Sequence, residues 1–471
     1  MSAGGPAEPP VRTAAATGAP PLRAAIAGLS DARLHRLTWA IALPSIIANV
    51  AGPLVGVVDS WAMGRLGDPL YLAAIAAGSY AFHVLYWSFG FLRMGTTGLV
   101  AQAHGRADHD AIARHLAAAL LVGLAVAALV LVSAPALFAA LADLLALKAD
   151  VRETAAVYWR IRVWGAPAIL ARLALVGTLI GLQAARSAMI VEVALNAVNA
   201  LLTALLVVGL GMGIAGAAWG SLAAEILAVL LAGLLVGAHV RGRPGLDAAR
   251  LLAAARRLAP RELLHVARIN GFIFLRTLLL LAAFGLFWRE SAELGTMTLA
   301  ANQVAINLLM LTSFGLDGLA YAAEALVGEA AGRGARTQIL ARVAVTGLWS
   351  AVMAAGYALV WSLAADAIFA LFTDDPAVLA ITAHVKPVVV LLPLAGFLSY
   401  HMDGVFIGLA AARAMFVTMA LAFAGYGLAL ALFVAPDGAR GLWLALGLFL
   451  LLRGLLQLGW LVRWGPAGSG R

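Results

Sequence analysis

Cysteine is absent from the 471 residues, lysine occurs only twice (Lys148 and Lys386), and charged side chains make up 12% of the chain. Without cysteine there is no disulfide framework, no thiolate metal site and no cysteine nucleophile. No Gly-x-x-x-x-Gly-Lys loop occurs, so there is no Walker-type ATP site, and any work done draws on an ion gradient or another subunit. So few charges cannot clothe a water-facing surface, since an ordinary soluble domain carries about 25% charged and about 45–50% apolar residues. Here 63% of residues are hydrophobic and the mean hydropathy is +0.96. A soluble enzyme and a nucleic-acid-binding protein are thereby excluded. The composition is that of an all-α polytopic membrane protein whose outer face is solvated by lipid. The net charge of +9 then belongs to loops held against an anionic leaflet.

Residues 1–30 are rich in Ala, Gly and Pro and lack the apolar core of a signal peptide, so they read as a disordered cytoplasmic tail. Ser30 is placed to cap a short basic helix carrying Asp31, Arg33 and Arg36. Beyond it, apolar runs long enough to cross a bilayer follow one another at 37–58, 72–100, 111–141, 155–180, 187–209, 214–238, 264–287, 297–325, 338–365, 380–404, 414–434 and 441–464. That makes twelve transmembrane helices, with the softest boundaries at the glycine-rich turns 209/214 and 404/414. With the N-terminus inside, the tails, the even-numbered loops and the span ends beside them hold 20 of the 32 Lys and Arg residues, and the opposite loops and span ends hold seven, Arg160 and Arg162 among them. The positive-inside bias therefore sets both termini and the basic 241–263 linker in the cytoplasm of a bacterial inner membrane.

The chain also repeats itself. Gly177–Arg186 matches Gly404–Arg413 at seven of ten positions, and Leu99–Arg106 matches Leu326–Arg333 at five of eight, both at an offset of 227. Two separated matches at one offset imply two pseudo-symmetric six-helix bundles, 31–240 and 264–464, followed by a short tail at 465–471. Parallel repeats of this kind mark transporters, with the pathway at the repeat interface.

An ionisable group at mid-membrane costs about 2.5–3.5 kcal/mol on insertion scales and needs a partner, water or a function. Asp59 closes an apolar run that contains Pro44 and Pro53, which remove backbone donors and bend a helix. A carboxyl withdrawn from water there holds its proton more tightly and becomes an exchange site; an interfacial Asp beside Arg65 is the equally weighted alternative. Glu192, Asn196, Asn199 and Thr203 fall at i, i+4, i+7 and i+11, one polar stripe on an apolar helix, and Ser221 and Glu225 add a second. Such stripes serve as helix–helix glue at least as often as they line a cavity. In the later half, Asn302, Asp317 and Glu324 share one span, and Arg93 and Arg276 stand as counter-charges. Asp403 and Arg453 read as paired structural ions. Phe82, Tyr86, Trp87, Phe89 and Phe91 read as packing or belt residues before they read as a pocket for flat cations. The His104, Asp108, His109, Asp110 and His115 group reads as a solvated loop, and no metal site is expected.

At these residues the chain resembles the multidrug and toxic compound extrusion (MATE) family, and within it the branch named for the DNA-damage-inducible F protein. The resemblance rests on Ile41–Pro44, Pro53–Asp59, Phe91–Gly98, Leu299–Asn302, Leu316–Gly328 and Asp403–Gly408, and covers about residues 35–463. The stretch with Asp317, Tyr321 and Glu324 is the most branch-specific. It implies two six-helix bundles in a V around a central cavity, and export of amphipathic, often cationic, compounds in exchange for H+ or Na+. It also implies that Asp59 is the first-helix coupling carboxylate and Asn199 the fifth-helix asparagine, with Ser221 where a threonine is usual. One departure bears on the ion: the helix-five pattern Asn-x-x-x-Asp reads Asn199-Ala-Leu-Leu-Thr203, so the second carboxylate is missing.

A hard cation such as Na+ wants several oxygens and compensating charge. One carboxylate with Asn199, Thr203 and Ser221 favours H+, unless Glu192 or Glu225 replaces the lost acid. The expectation is a monomeric, cofactor-free drug/proton antiporter that handles small amphipathic substrates within membrane lipid. A lipid-linked precursor flippase is the alternative, against which the scattered membrane arginines argue. An intramembrane lipid-modifying enzyme ranks last, because His83, His239, His384 and His401 are dispersed.

Overall fold

The computed structural model describes residues 21–240 and 248–468. Most of the expected N-terminal tail, residues 241–247 of the linker and residues 469–471 lie outside them. Among the described residues every regular element is helical. In order these are α1 (Pro21–Leu29), α2 (Ala32–Gly64), α3 (Pro69–Ser88), α4 (Phe91–Gly105), α5 (His109–Leu144), α6 (Ala149–Arg162), α7 (Ala166–Gly181) and α8 (Ala185–Thr203). After a π-helical stretch (Ala204–Gly209) come α9 (Gly213–Val240), α10 (Ala248–Arg257), α11 (Pro260–Glu293), α12 (Thr296–Gly332) and α13 (Arg336–Phe372). α14 (Pro376–Val389), α15 (Leu392–Gly408) and α16 (Ala412–Gly468) complete the chain.

Helix starts follow short acidic caps. Asp31, Asp68, Asp108 and Asp375 each accept hydrogen bonds from the first backbone N–H groups of α2, α3, α5 and α14, and Pro69 and Pro376 occupy first-turn positions where no donor is lost. Asp108 is thus committed to a cap, and no metal-binding group of His and acidic residues forms among the described residues.

Several boundaries differ from expectation. Residues 21–29 form a helix, with Gly28 set directly against Ala341 of α13, so order begins before Ser30. The expected 72–100 span breaks at Phe89–Gly90 into α3 and α4, and the 155–180 span passes through a tight turn at Val163–Gly165. Among the described residues ten helical stretches are long and apolar enough to cross a membrane, or eleven if the bent pair α14–α15 counts as one span. The backbone pattern of α16 runs unbroken for 57 residues, although a turn was expected between 434 and 441. It is nevertheless folded back on itself. The rings of Tyr426 and Phe449 lie 5.2 Å apart, whereas 23 residues of straight helix would separate them by roughly 35 Å. The reversal is at Gly438, whose φ is +53°.

An apolar core runs through α2–α9 and reaches α11 and α12 at Ile273, Leu319 and Leu326. A second lies wholly in the later half, around Phe287, Trp361, Tyr426, Trp443 and Phe449. Outward-facing side chains such as Val132 (82% exposed) and Leu371 (84%) are apolar, which suits lipid and not water. Close crossings carry small residues, as packing without a hydrophobic drive between helices requires. A Cβ on Gly105 would stand 2.0 Å from the Glu329 carbonyl oxygen, and one on Gly332 would stand 2.0 Å from that of Gln102. Gly105 and Gly332 are related by the 227-residue offset, as are Gln102 and Glu329. The ends of α4 and α12 therefore cross as a two-fold pair, and the internal repeat is visible as local symmetry.

Candidate functional site

In the first half, three helices bring the sequence-predicted residues into one polar column. Asp59 lies near the end of α2, six residues beyond Pro53, and is only 6% exposed. Its Oδ1 accepts a hydrogen bond of 3.2 Å from the Thr203 hydroxyl, the last residue of α8 before the π-helical stretch. One turn earlier on the same face, Asn199 Nδ2 donates to Ser221 Oγ of α9 at 2.7 Å. The other polar side-chain atom of Asn199, Oδ1, is buried and has no hydrogen-bond partner among the described residues.

One turn along α9 from Ser221, Glu225 accepts from Arg172 Nε of α7 at 2.9 Å, and Glu192 of α8 is bound by the same guanidinium. Both accessory acids are therefore held in an ion pair, whereas Asp59 is met by a hydroxyl. The other charge that acts on Asp59 is Arg162, at the end of α6. It was expected in an outer loop, yet it is drawn inward, where Nε donates to the Tyr158 hydroxyl at 3.3 Å and the guanidinium lies 5.6 Å from the Phe82 ring centroid. Arg172 is the functional-site residue that sequence reasoning left without a role. Its signal was an arginine in mid-span, which must be paired, but spacing along the chain does not say with which acid.

Four of the aromatics form a chain of ring contacts, Phe82 to Tyr86 at 5.6 Å, Tyr86 to Phe89 at 6.1 Å and Phe89 to Phe91 at 6.1 Å, which Phe91 extends to Phe274 of α11 at 5.6 Å, while Trp87 is 42% exposed.

In the second half, α12 presents Asp317, Tyr321 and Glu324 at i, i+4 and i+7. Arg93 of α4 crosses from the first half to Glu324 with two bonds, 2.9 and 3.3 Å, and its guanidinium sits 4.0 Å from the Tyr321 ring centroid. Arg276 pairs with Asp403, which also receives Arg453 at 2.7 Å and Gln457 at 2.8 Å. Both expected counter-charges thus find acids. Asp317 is partly exposed and, among the described residues, makes no direct ion pair or hydrogen bond, although the charges of Arg93, Asp403, Arg276 and Glu324 all act on it through space. Asn302 does not belong with these residues, a correction to the sequence reading. It donates to Ser291 Oγ and accepts from Trp443 Nε1, both at 2.8 Å. Fifteen helical residues place it roughly 22 Å from Asp317, so it ties helices together.

The recorded contacts between the halves gather toward one side. Besides Arg93 with Glu324, Trp349 Nε1 donates to His35 at 2.9 Å, Asn49 donates to the Phe314 carbonyl at 3.2 Å, and Gln102 donates to the Gly408 carbonyl at 2.9 Å. Gln183 reaches Glu329 at 2.9 Å, and Glu329 is further held by Arg333 at 2.5 Å and Arg342 at 3.0 Å. Gln102, Gln183, Glu329 and Gly408 lie within a helical turn of the turns 105–109, 182–185, 332–336 and 408–412, whereas Asn49 and Phe314 meet in the middle of α2 and α12.

Two related helical halves, sealed at one end and holding buried charges along their seam, define a multi-pass membrane transporter. The MatE family model matches residues 44–205 and again 273–433, once in each half. The chain belongs to this family, the multidrug and toxic compound extrusion transporters, whose members move compounds and are not enzymes. It is 39% identical over 419 residues to the DNA damage-inducible protein F of Escherichia coli (strain K12), covering 88% of this chain and 90% of that one. It is 30% identical over 436 residues to a probable multidrug resistance protein NorM of Deinococcus radiodurans, covering 89% and 93%. A solved MATE-family multidrug resistance transporter in an outward-facing conformation superposes with a TM-score of 0.82 at 18% identity, covering 93% of this chain and 97% of that one.

Proposed function

We propose that this transporter exports amphipathic, cationic compounds by antiport with H+, and that Asp59 is the group that carries the coupling proton. The observation that carries this reading is the difference among the membrane acids of the first half. Glu192 and Glu225 are engaged by Arg172, while Asp59 is buried and, among the described residues, hydrogen-bonded by the Thr203 hydroxyl with no ion pair. Protonating either glutamate takes one of two carboxylate partners from a buried arginine and gives up a charge-assisted bond. Protonating Asp59 deprives no arginine in direct contact. A proton also suits a site with one carboxylate, where Na+ would want more charge.

In this reading, protonation from outside neutralises the carboxylate, releases the Thr203 bond, and lets the proline-bent α2 reorganise toward substrate release. Deprotonation toward the cytoplasm restores the substrate-binding state. The unpartnered Oδ1 of Asn199, one turn from Thr203, is an acceptor for a donor that arrives with the proton. Asp317, partly exposed on the seam without a direct partner, is the acid we assign to the positive charge of the substrate.

We further infer two bundles, 31–240 and 264–464, joined by the basic linker, with both termini in the cytoplasm of a bacterial inner membrane and a monomer as the working unit. The fold-back of α16 supports twelve crossings. The sealed end carries the arginine-rich turns, which supports a cytoplasm-closed, outward-facing state. A pyrophosphate-binding flippase would need free cavity arginines. Here Arg93, Arg172, Arg276 and Arg453 are each matched to acids, while the inward-turned Arg162 is met by the Tyr158 hydroxyl.

The test is reconstituted transport of a lipophilic cation with a pH gradient or a Na+ gradient imposed one at a time. Efflux driven by the pH gradient supports the reading, and efflux driven by Na+ alone overturns it.

A further inference from the structure

A groove of about 560 Å³ opens between α2 and α8, and neither the polar-column residues nor the seam acids line it. Its α2 wall is formed by Arg36, Ala40, Leu43 and Ile47, at i, i+4, i+7 and i+11, so they share one face. Arg186 and Met189 of α8 form the other wall. Leu43 and Ile47 are 53% and 45% exposed, and such side chains on a membrane protein are solvated by acyl chains. At the head of the groove stand Arg36 and Arg186, both exposed and, among the described residues, in no ion pair or hydrogen bond with protein. Eleven helical residues separate Arg36 from Ile47 by roughly 16 Å, about half of the ~30 Å hydrocarbon core. The guanidinium groups therefore sit at headgroup depth when Ile47 lies near the midplane.

We infer that this groove is a binding site for an anionic phospholipid, with Arg36 and Arg186 gripping the headgroup phosphate and the Leu43–Ile47 face holding an acyl chain. Paired guanidinium groups donate fork-like bonds to phosphate oxygens, and basic pockets between helices at a cytoplasmic leaflet select anionic headgroups. The apolar wall below them commits the site to a lipid over a free anion.

The groove also reports on conformation. His35 and Trp39, which line it, are the residues that hold Trp349 of the opposite half, through a 2.9 Å hydrogen bond and an edge contact with centroids 5.2 Å apart. A lipid seated against that clasp binds the sealed arrangement better than one in which the halves part. By linkage it stabilises the sealed arrangement.

The test uses the full chain purified in neutral detergent. Phosphatidylglycerol is expected to raise Tm clearly more than phosphatidylcholine. The double variant Arg36→Gln/Arg186→Gln is expected to lose most of that difference, and Arg336→Gln, an exposed arginine at the same end but outside the groove, to keep it. Equal stabilisation by phosphatidylcholine overturns the inference, as does the same stabilisation by inorganic phosphate or an undiminished difference in the double variant. Should the double variant fail to fold, each single variant is read by native mass spectrometry. Reduced retention of phosphatidylglycerol in either supports the site, and retention undiminished in both overturns it.

Discussion

Arg93 and Glu324 face each other across the seam between the two halves, 231 residues apart in sequence and joined by bonds of 2.9 and 3.3 Å. The pair is nearly closed to solvent, with side chains 9% and 2% exposed. Removing one partner leaves the other charge buried, at a cost of about 3–5 kcal/mol to the sealed arrangement. Glu324→Gln is therefore expected to lower Tm and to slow transport, and the exchanged pair Arg93→Glu/Glu324→Arg is expected to recover part of both. Thermal unfolding followed by the endogenous tryptophans, alongside vesicle efflux, checks this.

Gly105 and Gly332 predict a second, purely steric effect. Each faces a carbonyl oxygen of the other half at a distance no Cβ tolerates, and in both cases the obstacle is backbone. Gly105→Val and Gly332→Val are expected to hold the sealed end apart. The chain has no native cysteine, so spin labels at Arg106→Cys and Arg336→Cys report on that end alone. The expected result is a longer label-to-label distance in either valine variant than in the parent, by several ångströms.

Arg172 predicts which acids do not carry protons. Because Glu192 and Glu225 share its guanidinium, Glu192→Gln leaves the arginine paired with Glu225. It is expected to keep pH-driven efflux within about threefold of the parent, a barrier change of roughly 0.6 kcal/mol. Arg172→Gln, in contrast, leaves two acids without their cation and is expected to reduce the yield of folded protein. Efflux assays on the first and size-exclusion profiles of the second check the two outcomes.

The architecture was more legible in the sequence than the site. Apolar run length is dictated by bilayer thickness, so the helices could be read locally. The 227-residue offset exposed the duplication, because Gly105, Gly332 and their neighbours recur wherever backbones must approach. The polar stripe through Asn199 and Thr203 was legible from helical period alone. Pairing was not. Arg172 joins acids 20 and 53 residues away, and Arg93 joins one 231 away, choices set by how helices are arranged and not by local spacing. Arg162 was misplaced for a related reason: a hydropathy boundary cannot tell a charge facing the outer solvent from one turned inward toward Tyr158. Asn302 looked like a site residue because buried asparagines on a helix face look alike until their partners, Ser291 and Trp443, are known.

Thr203 predicts a graded effect on coupling. Its hydroxyl is the hydrogen-bond donor to Asp59, and a hydrogen bond to a charged group is worth about 1.5–3 kcal/mol. Thr203→Val keeps the shape and removes the donor, so pH-driven efflux is expected to fall by about tenfold or more, since ~1.4 kcal/mol is a factor of ten. Thr203→Ser restores a donor and is expected to retain most of the activity. Initial efflux rates at a fixed pH gradient separate the two.

The most direct measurement is proton flux itself, in vesicles containing Asp59→Asn protein, loaded with a pH dye and given a lipophilic cation. The asparagine preserves shape and cannot exchange a proton. Substrate-induced proton movement should vanish while the purified variant keeps its Tm within a few degrees and still binds the cation. Undiminished substrate-dependent proton movement in that variant would contradict the assignment of Asp59.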